Sequence, residues 1–306
     1  MTATLGWSGN HVIARAVANH VPPWSLNFYR WVIVAFIMAV AGWRSLRNDW
    51  PHIVEHCHIL TFLGVVGGGI FGTLQFIGLK YTGALNMGVL NSVAPALIAL
   101  VSFLIFRDPS TPSQMAGIAI SLGGIVAILT QLDSAILQTL SFNAGDLIIV
   151  ANMGLWAVYS ACQRLKPAMA DTSFLFVLAV PAALVCAPMA LVEYEEGLRL
   201  ATDFESLGTL LYASLILSIL SYICWGRGIE LIGVGRAGAF LHLIPLFGAL
   251  LATSLLGEQL GVHHVVGFAL ILTGVTLAVR HPIPVRQARA RRASSRKTIR
   301  LKSSRR

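Results

Sequence analysis

Charged residues are scarce in this sequence of 306 residues. They make up 11% of it, whereas hydrophobic residues make up 56%, and the mean hydropathy is +0.74. A soluble globular protein carries about 25% charged residues, which it needs to cover its surface in water. The composition therefore excludes a soluble globular protein and predicts a chain that is surrounded by a lipid bilayer.

Residues that hold metals, cofactors or phosphates in recognisable patterns are also missing. The four cysteines, Cys57, Cys162, Cys186 and Cys224, form no CxxC pair and no metal-binding spacing, so they are interpreted as packing residues. No Walker-type loop is present, so ATP hydrolysis by the chain itself is not expected. We expect no metal and no cofactor, and we do not expect an enzyme.

Ten hydrophobic segments approach the length of about 20 residues that a membrane-spanning helix requires. They are predicted at 1–18, 26–43, 59–79, 84–106, 113–132, 145–164, 172–192, 207–229, 236–256 and 262–280. Turn-forming sequences such as Pro22-Pro23 and Trp50-Pro51 separate them. The first segment is short, which predicts either a clipped helix or a start codon further upstream, and it lacks the features of a secretory signal.

Basic residues are concentrated in the last stretch of the chain. Ten of the 22 Lys and Arg lie in 281–306, which contains no acidic residue. A tail facing anionic lipid headgroups explains this concentration better than nucleic-acid binding does. The connections on the same side as the tail carry Arg44, Arg47, Arg107, Arg164 and Lys166, which predicts that both termini are cytoplasmic.

The sequence contains an internal repeat with an offset close to 150 residues. The repeated pairs are Gly78 and Gly228, Gly83 and Gly233, Pro95 and Pro245, Asp108 and Glu258, Gly117 and Gly267, Gly124 and Gly274, and, at an offset of 149, Trp7 and Trp156, and Arg15 and Arg164. Each unit spans five predicted helices, and an odd number inverts the second unit in the membrane, as in many secondary transporters. The predicted fold is an all-α membrane protein of ten transmembrane helices, with inverted repeats at 1–132 and 145–280 and a disordered basic tail at 281–306.

Polar and aromatic side chains inside the predicted helices are the candidate substrate-binding residues, because such groups are costly in a membrane. An aromatic and a polar residue share one helix face at equivalent places in both halves, as Trp7 with Asn10 and Trp156 with Tyr159. The predicted substrate-binding residues are Trp7, Asn10, Gln75, Asn91, Trp156, Tyr159, Trp225 and His242.

Asn91 and His242 flank the helix breaks that Pro95 and Pro245 predict. Two interpretations stay open for them. The carbonyl groups freed by the prolines line a substrate site, or the two side chains bond to neighbouring helices.

Charged residues near the helix ends are assigned structural roles. Arg30 is expected to extend to the membrane interface, and Arg15 and Arg164 are interpreted as helix-end anchors or gates. Asp108 and Glu258 precede helix starts, where a carboxylate complements the helix dipole. The acidic stretch from Glu193 to Glu205 is expected to be a solvated loop.

Several short motifs follow one another in the order and spacing of a known family. They are Trp7-x-x-Asn10 with Arg15, Pro22-Pro23, Arg30 followed by Ala35, Leu79 to Ala84 followed by Pro95, Gly145-Asp146 with Trp156 and Tyr159, and Pro245 followed by Gly257-Glu258 and Gly274-Val275. Together they resemble the EamA-type members of the drug/metabolite transporter superfamily over nearly the whole chain except the tail. One departure is Arg107-Asp108, where the family usually has Gly-Glu.

The resemblance implies ten helices, two inverted repeats, a location in the plasma (inner) membrane and export of amino acids or related metabolites from the cytoplasm. The predicted partners are a small-molecule substrate and the lipid bilayer, not nucleic acid, and a homodimer stays an open alternative. A polytopic membrane enzyme acting on lipid-linked substrates is the alternative function, and a membrane scaffold bound through the tail is a third. The polar residues of the predicted pocket favour zwitterionic or neutral solutes.

Overall fold

A computed structural model describes the backbone of residues 1–17, 21–81, 89–133, 135–136, 143–256 and 260–280. The side chains of 10–17, 76, 79, 80, 252, 255 and 256 lie outside that description, as does the tail at 281–306. Over the described ranges the secondary structure is helical, with no strand. The helices are α1 (Thr2–Val17), α2 (Pro23–Ala41), α3 (Trp43–Glu55), α4 (Cys57–Gly64), α5 (Phe71–Tyr81), α6 (Ala94–Phe106), α7 (Pro112–Leu129), α8 (Ala144–Cys162), α9 (Asp171–Glu195), α10 (Phe204–Tyr212), α11 (Ser221–Ile232), α12 (Val234–Ala239), α13 (Leu243–Leu256) and α14 (Val262–Val279).

Nine helical stretches in the described part of the chain are long and apolar enough to cross a membrane. They are Pro23–Ala41, Cys57–Gln75, Val89–Phe106, Pro112–Leu129, Ala144–Leu165, Asp171–Glu195, Phe204–Ile232, Val234–Leu251 and Val262–Val279. They correspond to nine of the ten predicted segments. The first segment also forms a helix, but the 16 residues of α1 span only about 24 Å, less than the ~30 Å hydrocarbon core. A tenth crossing therefore stays a prediction.

One helix is absent from the sequence prediction. The Trp50-Pro51 sequence was expected to be a turn, but Pro51 lies inside α3, so that prediction is wrong. The helix is amphipathic with a spacing of seven residues: Leu46 and Ile53 are buried, while Trp43 and Trp50 are exposed. Exposed tryptophans on a short amphipathic helix are typical of the membrane interface.

Two of the long helical stretches contain a π-helical segment at equivalent positions of the sequence repeat. Val65–Ile70 joins α4 to α5, and Ala213–Leu220 joins α10 to α11. A segment of this kind widens the helix and changes which backbone carbonyls are bonded within it. The fourth and ninth predicted segments are also interrupted, by a turn at 92–93 and by a 3₁₀ segment at Phe240–His242.

Contacts between helices recur at equivalent places of the two halves. Helix α1 packs on α13, and α8, which matches α1 in the repeat, packs on α6. Helices α7 and α14 lie against each other so closely that a Cβ on Gly117 would meet the backbone of Gly274, and a Cβ on Gly124 would meet that of Gly267. Such close approach is what small residues permit at helix interfaces within a membrane.

The sequence predicted a solvated loop for the acidic stretch from Glu193 to Glu205, and that prediction is wrong for Glu193. Glu193 is only 7% exposed, and its carboxylate accepts hydrogen bonds from the backbone N–H of Ser25 at 2.8 Å, the Ser25 hydroxyl at 2.8 Å and the backbone N–H of Trp24 at 3.2 Å. It therefore caps the start of α2 from the end of α9, where its charge also complements the helix dipole.

Candidate functional site

Seven aromatic rings from five helices meet inside the bundle. This aromatic cluster consists of Trp7 on α1, Trp31 on α2, Phe71 on α5, Trp156 and Tyr159 on α8, and Tyr222 and Trp225 on α11. Ring centroids lie 5.2 Å apart for Trp7 and Trp156, 5.6 Å for Trp156 and Trp225, and 6.0 Å for Tyr159 and Tyr222. These spacings are those of directly packed aromatic pairs, so the rings fill the space between the halves.

Four of the eight predicted site residues lie in this cluster: Trp7, Trp156, Tyr159 and Trp225. Gln75 lies on α5, one turn after Phe71, and its Oε1 accepts a hydrogen bond of 2.9 Å from Asn152 Nδ2 on α8. The side chain of Asn10 lies outside the described residues. The structure brings these residues together, but their role in substrate binding stays a prediction.

The remaining two predicted residues lie at the helix breaks. His242 is 1% exposed, its Nε2 donates to the Ser92 carbonyl at 2.9 Å, and its Nδ1 contacts the Ser121 hydroxyl. This contact links the break of the second half to the break of the first, so it matches the interpretation as an interhelical bond. The Oδ1 atom of Asn91 is buried without a hydrogen-bond partner in the described structure.

Several polar atoms around the cluster are buried and lack hydrogen-bond partners within the described part of the chain. The Tyr159 hydroxyl lies beside the Gln163 amide, yet both the hydroxyl and the Gln163 Nε2 lack a hydrogen-bond partner, and so does Trp225 Nε1. Buried polar groups are normally paired, and each exception calls for an explanation. A polar solute that reached the cluster would find both donors and acceptors there.

Arg30 is placed differently from the sequence prediction. It was expected to extend to the membrane interface, but it is only 6% exposed, so that prediction is wrong. Its guanidinium lies next to the Tyr222 phenol and 4.7 Å from the ring centroid of Trp31. Its position seven residues after the start of α2 suggested a route to the interface. Only the packing of α9 against α2, together with Tyr222 from α11, shows that the route is closed.

The π-helical segment Val65–Ile70 supplies carbonyl oxygens to the same region. The Tyr222 hydroxyl donates to Gly67 O at 2.6 Å, Trp31 Nε1 donates to Gly68 O at 2.9 Å, and Asn27 Nδ2 donates to Gly69 O at 2.9 Å. The Tyr159 ring packs directly on Gly67, where a Cβ would have no room. Sequence reasoning missed the three side chains that bind these carbonyls, Tyr222, Trp31 and Asn27.

One end of the bundle is closed by ion pairs, and we call it the ion-paired end. Arg164, after α8, contacts Asp108, after α6, and thereby joins the two halves. Lys166 Nζ lies 2.9 Å from Glu230 Oε1 and 3.7 Å from Asp171 Oδ1. The pairing of Arg164 across the halves fits both of its interpretations, as a helix-end anchor and as a gate.

The other end contains a cavity, and we call it the open end. The cavity has a volume of about 660 Å³. Its lining comes from the start of α2, the end of α9, the connection after it and α10, including Ser25, Phe28, Ala190 and Leu210. Helix α9 connects the two ends, since Asp171 at its start belongs to the ion-paired end and Tyr194 near its finish lines the cavity. Its 25 residues separate the two ends by about 37 Å.

Comparisons with known proteins agree with this architecture. The model of the EamA-like transporter family matches residues 1–130 and, separately, 143–280. The chain is 28% identical to the uncharacterized transporter YyaM of Bacillus subtilis (strain 168), over 81% of this chain and 78% of that protein. It is 25% identical to a Salmonella typhimurium (strain LT2) protein described as a "Probable amino-acid metabolite efflux pump", over 89% and 91% of the two chains.

A solved crystal structure shares the fold, with a TM-score of 0.71 at 22% identity, over 90% of this chain and 93% of the other. The multiple apolar helices, the two separate matches to one family and the relatives named as transporters agree with one another. This chain is a multi-pass membrane protein and belongs to the EamA-like transporter family.

Proposed function

We propose that this protein is a secondary transporter that exports amino acids or similar small metabolites from the cytoplasm by alternating access. The moving parts are the two five-helix halves, 1–132 and 145–280, inverted relative to each other in the plasma (inner) membrane. The termini and the ion-paired end face the cytoplasm, and the open end faces outward. The aromatic cluster, where helices of both halves meet, is the place at which substrate passes.

The recurrence of helix contacts between the halves is the observation that carries this proposal. The Gly117–Gly274 contact between α7 and α14 becomes the Gly267–Gly124 contact when each residue is replaced by its repeat equivalent. An interface that maps onto itself in this way can be repacked from either side. Two halves joined by such interfaces can exchange conformations, which is the basis of alternating access in inverted-repeat transporters.

The difference between the two ends supports a direction of opening. Arg164 and Asp108 hold the halves together at the ion-paired end, whereas the cavity of about 660 Å³ lies at the open end. Partly exposed ion pairs of this kind contribute only about 0–1 kcal/mol each. Pairs of that strength can break and re-form during a transport cycle without large cost.

The substrate class is supported by the site and by one relative. The aromatic rings and unpaired polar atoms suit a small amphipathic solute, as in most small-molecule sites. The Salmonella protein's name refers to amino-acid metabolite efflux, and we extend that class to this chain. The alternative of a membrane enzyme is less well supported. The acidic stretch from Glu193 to Glu205 is the one group of acidic residues that it could use, and Glu193 instead caps the start of α2.

Transport by purified protein in proteoliposomes tests the proposal. Vesicles loaded with the twenty amino acids are expected to lose at least one of them faster than protein-free vesicles do. The Tyr159→Phe variant is expected to keep its membrane abundance, because the Tyr159 hydroxyl bonds to nothing in the described structure, and to show altered transport kinetics. Efflux at the protein-free rate for every amino acid would refute the proposed substrate class.

A further inference from the structure

Arg30 is a cation enclosed by neutral groups. A guanidinium stays charged in proteins, and burying a charge without a counter-ion is costly. The groups described around it are the Tyr222 phenol, the Cys186 thiol and the Trp31 ring, and its Nε has no hydrogen-bond partner. Neutral groups of this kind leave the charge of Arg30 uncompensated.

No carboxylate of the described chain neutralises Arg30. The sequence has 13 acidic residues, and all but Glu258 lie in the described part, where none forms an ion pair with Arg30. Glu193 lies where the end of α9 meets α2, but its two oxygens accept hydrogen bonds from the start of α2. The compensating anion is therefore not supplied by these side chains.

We infer that Arg30 binds the carboxylate of the transported solute. This inference rests on the proposed function and narrows it to substrates that carry a carboxylate beside an apolar or aromatic group. The aromatic cluster adjoins Arg30 through Trp31 and Tyr222, whose ring centroids lie 5.4 Å apart. A guanidinium forms two parallel hydrogen bonds to a carboxylate, which gives a stronger and more directional contact than a neutral donor does.

The geometry also explains why Arg30 is held in position without an ion pair. The Tyr222 hydroxyl donates to Gly67 O, so its oxygen remains available as an acceptor beside the guanidinium. Trp31, the next residue on α2, is fixed by its hydrogen bond to Gly68 O. Both neighbours are anchored on the glycine carbonyls of the π-helical segment, which makes Arg30 a preorganised anion site.

The test measures discrimination between an acid and its amide. The probe is the amino acid that leaves wild-type proteoliposomes fastest, and its efflux is inhibited by the unlabelled acid and by the matching carboxamide. Wild-type protein is expected to be inhibited by the acid at a concentration at least tenfold lower than by the amide. In Arg30→Gln this ratio is expected to fall close to one, and in Arg30→Lys to an intermediate value. A purely structural role for Arg30 would change the rate or the melting temperature and leave the ratio unchanged.

The control is Arg44→Gln, which removes an exposed guanidinium from α3 and is expected to keep the wild-type ratio. An unchanged ratio in Arg30→Gln would overturn the inference. If that variant does not reach the membrane, a wild-type ratio below about three would overturn it as well. Failure to export any amino acid would instead refute the proposed function, so the two failures are distinguishable.

Discussion

Helices α2 and α9 occupy equivalent places in the two halves and pack against each other, but they bury different chemistry. The buried face of α2 carries Asn27, Arg30 and Trp31. At the repeat offset, Asn27 falls opposite Val177 and Arg30 opposite Val180, and the central buried face of α9 is formed by small and apolar residues.

Under the proposal that Arg30 binds the solute, this difference separates the residues that build the scaffold from those that recognise a solute. Glycines and prolines recur between the halves because both halves need the same close helix contacts and the same breaks. A solute has no such symmetry, so the groups that bind it need not recur. On this account α2 carries the polar recognition, and α9 supplies the apolar surface against which α2 packs.

The largest expected effect comes from giving α9 the charge of α2. Ala179 is fully buried, so Ala179→Arg places a second cation among apolar groups and should cost several kcal/mol. We expect the variant to be nearly absent from the membrane fraction, as measured by immunoblot. Ala179→Leu is the control for size alone, with an expected cost of about 1–3 kcal/mol. Normal abundance of Ala179→Arg would show that α9 tolerates charge as α2 does.

An intermediate effect is expected from shortening matched residues on the two helices. Asn27 Nδ2 donates to Gly69 O at 2.9 Å and to Thr73 Oγ1 at 2.8 Å, so Asn27→Ala should cost about 1–3 kcal/mol. Its repeat equivalent Val177 is only partly buried, and Val177→Ala should cost roughly 1 kcal/mol or less. Melting temperatures of the two purified variants in detergent measure the difference. Equal losses would mean that the polar face of α2 adds nothing to stability.

The smallest effect on stability is expected at the ion-paired end. Asp108→Asn removes the partner of Arg164 and should cost less than about 1 kcal/mol, because both side chains are partly exposed. It should nevertheless let the halves separate at that end more often. Cys162, which is buried next to Arg164, should then react faster with a maleimide in a background of Cys57→Ser, Cys186→Ser and Cys224→Ser. Asp133→Asn, at a site away from this end, is the control, and equal reactivity in both variants would contradict the expectation.

The helices were predictable from the sequence where hydrophobicity alone decides them. Nine segments are long and apolar enough to be recognised, and the pairing of α7 with α14 is consistent with the repeated glycines. Helix α3 was missed because Arg44, Arg47 and Asp49 lower its hydropathy and Pro51 suggested a turn. Its spacing of seven residues between Trp43 and Trp50, and between Leu46 and Ile53, is the signal that could have found it.

The candidate site was only partly predictable because burial of a charge depends on distant parts of the chain. Glu193 binds the start of α2, 168 residues away along the sequence, and no local pattern predicts that pairing. Arg30 lies beside Tyr222 for the same reason. The repeat pairs Trp7 with Trp156, and these two rings do meet in the aromatic cluster together with Trp225. It could not identify Arg30 or Asn27, whose equivalents are valines.

The central claim is that the halves must separate at the ion-paired end during each transport cycle. The double variant Asp108→Cys, Arg164→Cys, made in a background in which the four native cysteines are serine, allows that end to be closed with a short bis-methanethiosulfonate linker. We predict that linked protein in proteoliposomes loses amino-acid efflux and that a reducing agent, which cleaves the linker, restores it. The same reagent should leave the cysteine-free background unaffected. Full efflux by completely linked protein would contradict the account.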